Sequence, residues 1–207
     1  MIWNNVLLTS AGFFDGEGRP LNAIINCFDA MLTKPFSETK VLFIPTAALT
    51  PDYYMDMTDY IQSCKSHLLH VGILEGNITS HDIDGTLTEG DALLFDMIFF
   101  TGGETPYLAD QMKKFNFDKI VKAMVYANKV YVGISAGSMI ASKNFYLPFD
   151  YQTSPEEFTG LGLTDICITV HCMPGTPSRD DLSSPHFALT DRQAIVIKSD
   201  GYMLIDA

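Results

Sequence analysis

Short apolar runs alternate with stretches of helical periodicity through the first two thirds of the chain, and this alternation restricts the fold more than any other feature. Val6-Leu7-Leu8, Val41 to Ile44, Val71 to Leu74, Asp96 to Phe100 and Val130 to Ile134 read as strands. Leu21 to Leu32 reads as a helix opened by Pro20, with Leu21, Ile24, Ile25 and Phe28 on one face. Pro51 to Leu69 and Pro106 to Ala127 read as further helices, the latter facing Leu108, Met112, Ile120, Val121 and Met124 inward. Ala136 to Ala141 reads as a short helix of small residues. Strand and helix in this order predict an α/β fold: a mostly parallel central sheet with helices on both faces, a three-layer sandwich. After Lys143 prolines and glycines break the chain into loops. Cys167 to Val170 and Ala194 to Lys198 remain strand-like there, and Ser199-Asp200-Gly201 signals a hairpin turn into Tyr202 to Ile205. No repeat or linker divides the sequence, so residues 1–207 are expected to form a single domain.

Composition narrows the functions open to such a fold. With 47% hydrophobic and 18% charged residues the chain can bury a core, which excludes disorder. Its formal charge of -12 repels phosphate backbones and anionic lipid, so neither nucleic acid nor a membrane surface is an expected partner. An acidic substrate would need a local cationic pocket set against that field. No stretch approaches the roughly 18 apolar residues of a membrane-spanning helix, and Met1 to Ser10 lacks the pattern of a signal peptide. Cys27, Cys64, Cys167 and Cys172 form no Cys-x-x-Cys pair and are expected to be reduced and mostly buried. The expected compartment is the cytoplasm, and the expected assembly a monomer or homodimer.

Chemistry concentrates at Val130 to Ala141, VYVGISAGSMIA. Gly133-Ile134-Ser135-Ala136-Gly137 satisfies G-x-S-x-G where a strand runs into a helix. A serine on that tight turn is forced into a strained conformation that lifts its Oγ above the sheet, and the flanking glycines permit the close approach the turn demands. The next N–H, that of Ala136, lies at a helix start where partial positive charge favours an oxyanion. Ser135 is therefore the candidate nucleophile, the bland alternative being a helix cap.

A serine nucleophile needs a base. Of the five histidines, His67 and His70 sit on or just after a helix and suit surface roles, while His81 lies in a polar turn beside Asp82 and Asp84. His171 ends the apolar run Ile166 to Val170, at a strand end where sites in open parallel sheets are assembled. It is preferred over His186, which lies in a Ser/Pro-rich loop. Asp150 and Asp191 are both open as the carboxylate that orients the base, since such sets assemble in space rather than in sequence. Thr101-Gly102-Gly103-Glu104-Thr105 follows the fourth strand and opens a helix. Gly103 N–H is a candidate second oxyanion donor, with Gly102, Glu104 and Thr105 as candidate substrate-binding residues. Read structurally, the same stretch is a helix start with Thr105 as N-cap and Pro106 at the first helical position.

Together, strand–TGGxT–helix, strand–G-x-SAG–helix about thirty residues later, and a histidine after an apolar strand resemble the peptidase E family. These are the serine aspartyl dipeptidases, with cyanophycinases as more distant relatives. The resemblance runs through most of the chain and is strongest over Phe99 to Leu108 and Gly133 to Ala141. It implies a sheet akin to that of class I glutamine amidotransferases, with serine replacing their cysteine at the elbow. It also implies hydrolysis of short peptides, typically after an N-terminal aspartate, with neither cofactor nor metal. By the resemblance, Ser135 matches the nucleophile, His171 the base, and Gly103 and Ala136 the oxyanion donors. Asp150, fifteen positions after the serine, matches one implicated carboxylate, and Asp191 is the nearest match to a late-chain alternative. Two features depart from the pattern. Glu104 stands where aspartyl dipeptidases usually carry Asn, and the segment after His171 lacks an Arg-rich helix, leaving Arg179 and Arg192 as possible carboxylate anchors. Other readings of the chain are a homologue without catalysis and a flavodoxin-like binding module using Thr9 to Gly18 as a phosphate loop. An α/β-hydrolase esterase competes too, although the chain is short for it and shows no HGGG-type loop.

Overall fold

Runs of four and five residues buried on both faces can form only the inside of a covered sheet, and β-pairing of those runs organises the molecule. The computed structural model describes residues 5–51, 56–147, 156–182, 184–198 and 201–207. In chain order the elements begin with β1 (Val6–Thr9), α1 (Asn22–Met31), β2 (Val41–Ile44), α2 (Thr58–His70), β3 (Ile78–Ser80) and α3 (Glu89–Ala92). They continue with β4 (Met97–Phe100), α4 (Thr105–Phe115), α5 (Phe117–Tyr126), β5 (Val130–Ile134) and α6 (Ala136–Met139). The last third holds β6 (Asn144–Leu147), β7 (Glu156–Thr159), β8 (Cys167–Thr169), β9 (His186–Ala188), β10 (Gln193–Lys198) and β11 (Gly201–Asp206).

A seven-stranded sheet runs in the order β11-β10-β1-β5-β4-β2-β3. The pairs from β1 to β3 are parallel, and β10 and β11 add an antiparallel edge. This is the mostly parallel α/β sheet that the sequence pattern implies. One face carries Leu8, Leu42, Ile98, Phe100 and Tyr131 beneath α3 to α6. The other carries Leu7, Phe43, Phe99 and Val132 beneath α1 and α2, with Phe43 stacked on Phe99 at 5.6 Å between centroids. Each such side chain contributes about 2 kcal/mol on leaving water, so both helical layers are held by the same central strands. Among the described residues no helix is long and apolar enough to cross a membrane. All four cysteines are free thiols; Cys64 and Cys167 are buried, Cys27 and Cys172 half-buried.

Four expectations need correction. Val71 to Leu74 is not a strand: α2 continues to His70, Val71 is its C-cap, and only Ile73 of the run is fully covered while Leu74 is exposed. The strand beside β2 is Ile78–Ser80 instead. The helix expected over 106–127 is two, because Asn116 adopts a left-handed conformation (φ 55°), which Asn tolerates and which redirects the chain into α5. The helix expected from Pro51 starts at Thr58, with residues 52–55 outside the described set. The strand before His171 is β8, which pairs with β9 in a separate two-stranded sheet. Of the hairpin turn signal, Ser199 and Asp200 lie outside the described residues, while β10 and β11 form the hairpin ladder on either side.

The short helix α6 sits unusually close to the sheet. Ser138 Oγ donates to the carbonyls of Thr9 and Gly133, both at 2.8 Å, and Tyr131 Oη donates to the Gly137 carbonyl at 2.5 Å. A Cβ at Gly137 would lie 2.6 Å from Phe100 Cβ and 2.7 Å from the Phe100 oxygen. Neither neighbour can yield, since both belong to a buried central strand. Gly137→Ala is therefore expected to lower stability by about 2–3 kcal/mol, read as a lower urea midpoint at unchanged slope.

Candidate active site

Three adjacent parallel strands, β1, β5 and β4, end side by side, and the residues after them surround one point. The register pairs Thr9 with Ile134 and Gly133 with Phe100, so Ser10, Ser135 and Thr101 follow at neighbouring strand ends. Ser135 is anchored there by its N–H, which donates to the Thr9 carbonyl at 3.1 Å. Its backbone lies at φ 49° and ψ −111°, a conformation costly for any residue with a side chain. It occupies the N-cap position of α6, yet its side chain makes no capping hydrogen bond. The hydroxyl is thus left for another partner. A Cβ at Gly133 would lie 2.4 Å from the Gly137 carbonyl, so the turn before and after Ser135 closes only because that atom is missing.

That partner is His171. Its Nε2 lies 3.0 Å from Ser135 Oγ, and its Nδ1 lies 2.6 Å from Asp191 Oδ1. An acceptor carboxylate on Nδ1 leaves the Nε2 lone pair facing the serine. His171 also has a positive φ, 57°, and its N–H donates to Ser10 Oγ at 2.8 Å. Ser10 Oγ in turn donates to Asp191 Oδ1 at 2.9 Å. One hydroxyl at the end of β1 therefore ties the backbone of the imidazole to the carboxylate that holds its ring. Sequence reasoning missed Ser10; the available signal was its place just after the first strand, before a glycine turn. His171 and Asp191 are 51% and 52% exposed, so the line from serine to carboxylate opens to solvent along one side.

The turn after β4 forms the opposite wall. A Cβ on Gly102 would lie 3.0 Å from Ser135 Cβ, which puts this turn directly against the serine. Gly103 (φ 136°) lies so near the turn after β2 that a Cβ would sit 2.2 Å from the Ala47 oxygen, and Glu104 N–H donates to that same oxygen at 2.8 Å. Among the described residues no protein acceptor takes the Gly103 or Ala136 N–H. Glu104 is exposed and is itself the N-cap position of α4, without a side-chain capping bond. Thr105 is not the N-cap but the first helical residue, buried, with its hydroxyl 3.9 Å from Met139 Sδ; it faces α6 rather than open space.

The remaining expectations fall elsewhere. Asp150 lies outside the described residues. His186 is buried and fully engaged: Nδ1 accepts from Arg179 N–H at 3.0 Å, so Nε2–H donates to Thr169 Oγ1 at 2.6 Å, and burial lowers its pKa. His67 is not a surface residue. Its Nδ1 accepts from Phe13 N–H at 3.2 Å, and burial with the nearby His70 holds its pKa down to about 4. His81 is likewise largely covered, stacked on Phe117. Arg179 pairs with Asp181 and Arg192 with Asp15. In the loop imagined as a phosphate site, Glu17 and Arg19 turn their N–H groups onto the Asp15 carboxylate. A cavity of about 460 Å³ opens beside Asp191, between that loop and α2, lined by Phe14, Ser63, Ser66, His67 and His70; this volume suits a small ligand.

Comparison with known proteins bears on the family and the fold. The family model for peptidase family S51 matches residues 6–205. An uncharacterised peptidase of Listeria innocua is 30% identical over 141 residues, which span 63% of this chain and 63% of that protein. A peptidase E of Shewanella amazonensis is 30% identical over 131 residues, 63% of this chain and 52% of its own length. These matched stretches thus cover less than two thirds of either relative. A crystal structure of a candidate peptidase E from Listeria monocytogenes superposes with a TM-score of 0.70 over 99% of both chains at 23% identity, a likeness of fold.

His67 generates a pH expectation. In the folded chain it stays neutral down to about pH 4, whereas unfolded it takes a proton near 6.5. Its contribution is therefore complete above pH 6.5 and is lost as the pH falls toward 4, on the order of 3 kcal/mol at the limit. His67→Asn keeps an acceptor for Phe13 N–H but cannot titrate. Urea midpoints measured between pH 7 and 4 should fall more steeply for the wild type than for this variant.

Proposed function

Because the chain belongs to peptidase family S51, matched over residues 6–205, we propose that it is a serine peptidase of the peptidase E type, hydrolysing short peptides through an acyl-enzyme. The observation that carries this reading is the unbroken line Ser135 Oγ–His171–Asp191, at 3.0 and 2.6 Å. In the proposed reaction His171 Nε2 takes the serine proton as Oγ adds to the scissile carbonyl. The N–H groups of Gly103 and Ala136 hold the resulting oxyanion, helped by the α6 N-terminus. His171 then gives its proton to the departing amine, and water, deprotonated by the same ring, releases the acyl group. Asp191 is assigned the orienting role in preference to Asp150, because it touches Nδ1 and is itself held by Ser10.

Glu104, exposed at the turn beside Ser135, bears on which peptides are accepted. A carboxylate there disfavours an acidic first residue, so neutral or basic first residues are the proposed preference. A dipeptide panel tests this: Glu104→Asn should raise cleavage of Asp-X relative to neutral-first peptides, and an unchanged ratio would remove Glu104 from specificity.

The catalytic assignment is tested on the same panel. Ser135→Ala should lower turnover by several orders of magnitude with the fold retained, and Asp191→Asn by roughly 10³–10⁴-fold through the wrong tautomer. Asp150→Asn should stay within a few-fold of wild type. Full activity in Ser135→Ala, or no labelling of wild-type Ser135 by a fluorophosphonate, would sink the peptidase reading.

A further inference from the structure

The proposed oxyanion donor at Gly103 belongs to a peptide between two glycines, the kind of unit that rotates most easily because neither neighbour carries a Cβ. It is nonetheless flanked by two hydroxyls. The Thr101 hydroxyl donates to the Gly102 carbonyl at 3.0 Å, and Thr101 is wholly buried. In a trans peptide the carbonyl and the following N–H lie in one plane and point in opposite directions, so fixing the Gly102 oxygen also fixes the direction of the Gly103 N–H. On the far side, α2 brings up the Tyr60 hydroxyl. A Cβ on Gly102 would lie 2.2 Å from Tyr60 Oη and 3.0 Å from Ser135 Cβ, so the phenol and the serine flank the same one-carbon gap.

We propose that Thr101 and Tyr60 are positioning residues that lock the Gly102–Gly103 peptide, so that its N–H is presented to the developing oxyanion before substrate arrives. This inference rests on the peptidase reading and adds to it two further residues, one of them from α2 and outside both glycine motifs. Neither has to touch substrate; each acts through the orientation of one peptide plane. An oxyanion contact forms only as charge develops, so losing the lock should lower kcat and leave KM little changed.

The experiment compares Thr101→Val, Thr101→Ser and Tyr60→Phe with wild type in peptide turnover, in fluorophosphonate labelling and in crystal structures. Thr101→Val and Tyr60→Phe are expected to lower kcat and the labelling rate by about 10- to 100-fold, with KM within about twofold and an unchanged melting temperature. Thr101→Ser, which keeps the hydroxyl, should restore the rate. In the Thr101→Val crystal the Gly102–Gly103 peptide should be rotated or split between two orientations. A single unchanged orientation in that crystal overturns the proposal whether or not any peptide is cleaved. So does a loss carried by KM alone, or a serine variant as slow as the valine one. An unreactive Ser135 in wild type overturns the peptidase reading instead, and the crystallographic result still decides whether Thr101 locks the turn.

Discussion

Two missing methyl groups let α6 lie against the ends of β4 and β5, and the polar geometry of the site follows from that approach. Gly133 meets the Gly137 carbonyl and Gly137 meets Phe100 at distances no larger residue allows. With the helix seated, Ser138 and Tyr131 hydrogen-bond it to β1 and β5, and Ser135 is caught on the turn between. The serine cannot relax to an ordinary conformation without lifting α6 from the sheet. Its hydroxyl is consequently held by the core rather than by its own hydrogen bonds.

Strain is distributed tellingly. Among the described residues four non-glycine positions have positive φ: Asn116, Asn128, Ser135 and His171. Asparagine and histidine enter that region more readily than other side chains and serine less so, and here the serine and the histidine meet across 3.0 Å. A side chain forced into such a conformation persists only where its surroundings over-determine it. For Ser135 the surroundings are the glycine contacts, and for His171 they are Ser10 and Asp191. Ser10 joins the two halves, accepting from the histidine backbone and donating to the carboxylate. The late loops, which lack a place in the large parallel sheet, are thereby brought to its carboxyl edge.

The charge of the chain gains a different meaning beside this site. A surface at -12 surrounds a constellation of a hydroxyl, an imidazole, a carboxylate and backbone N–H groups. Recognition of an anionic group there would depend on backbone dipoles and local cations. The two arginines of the late chain on which that role could fall are each engaged by a carboxylate, Asp181 for Arg179 and Asp15 for Arg192. The exposed Glu104 at the α4 start adds to the same electrostatic bias.

The α/β architecture and the turn at Ser135 were legible in the sequence because both are local: apolar runs of strand length, and glycines flanking a serine at a strand-to-helix junction. Where burial depended on distant partners the pattern misled. Val71 to Leu74 looks like a strand but belongs to a helix exit, and His67 looks superficial but is half-buried against the loop after β1. Asp191 stood beside Asp150 as an open alternative, since nothing in the linear order measures which carboxylate reaches an imidazole. Sequence alone thus determined the fold class, the family and the strained serine turn, all governed by interactions within a few residues. Only the tertiary structure decided that Ser10, His171 and Asp191 converge on that turn, because their contacts span 161, 181 and 20 positions of chain and exist only once the sheet has set its strand order.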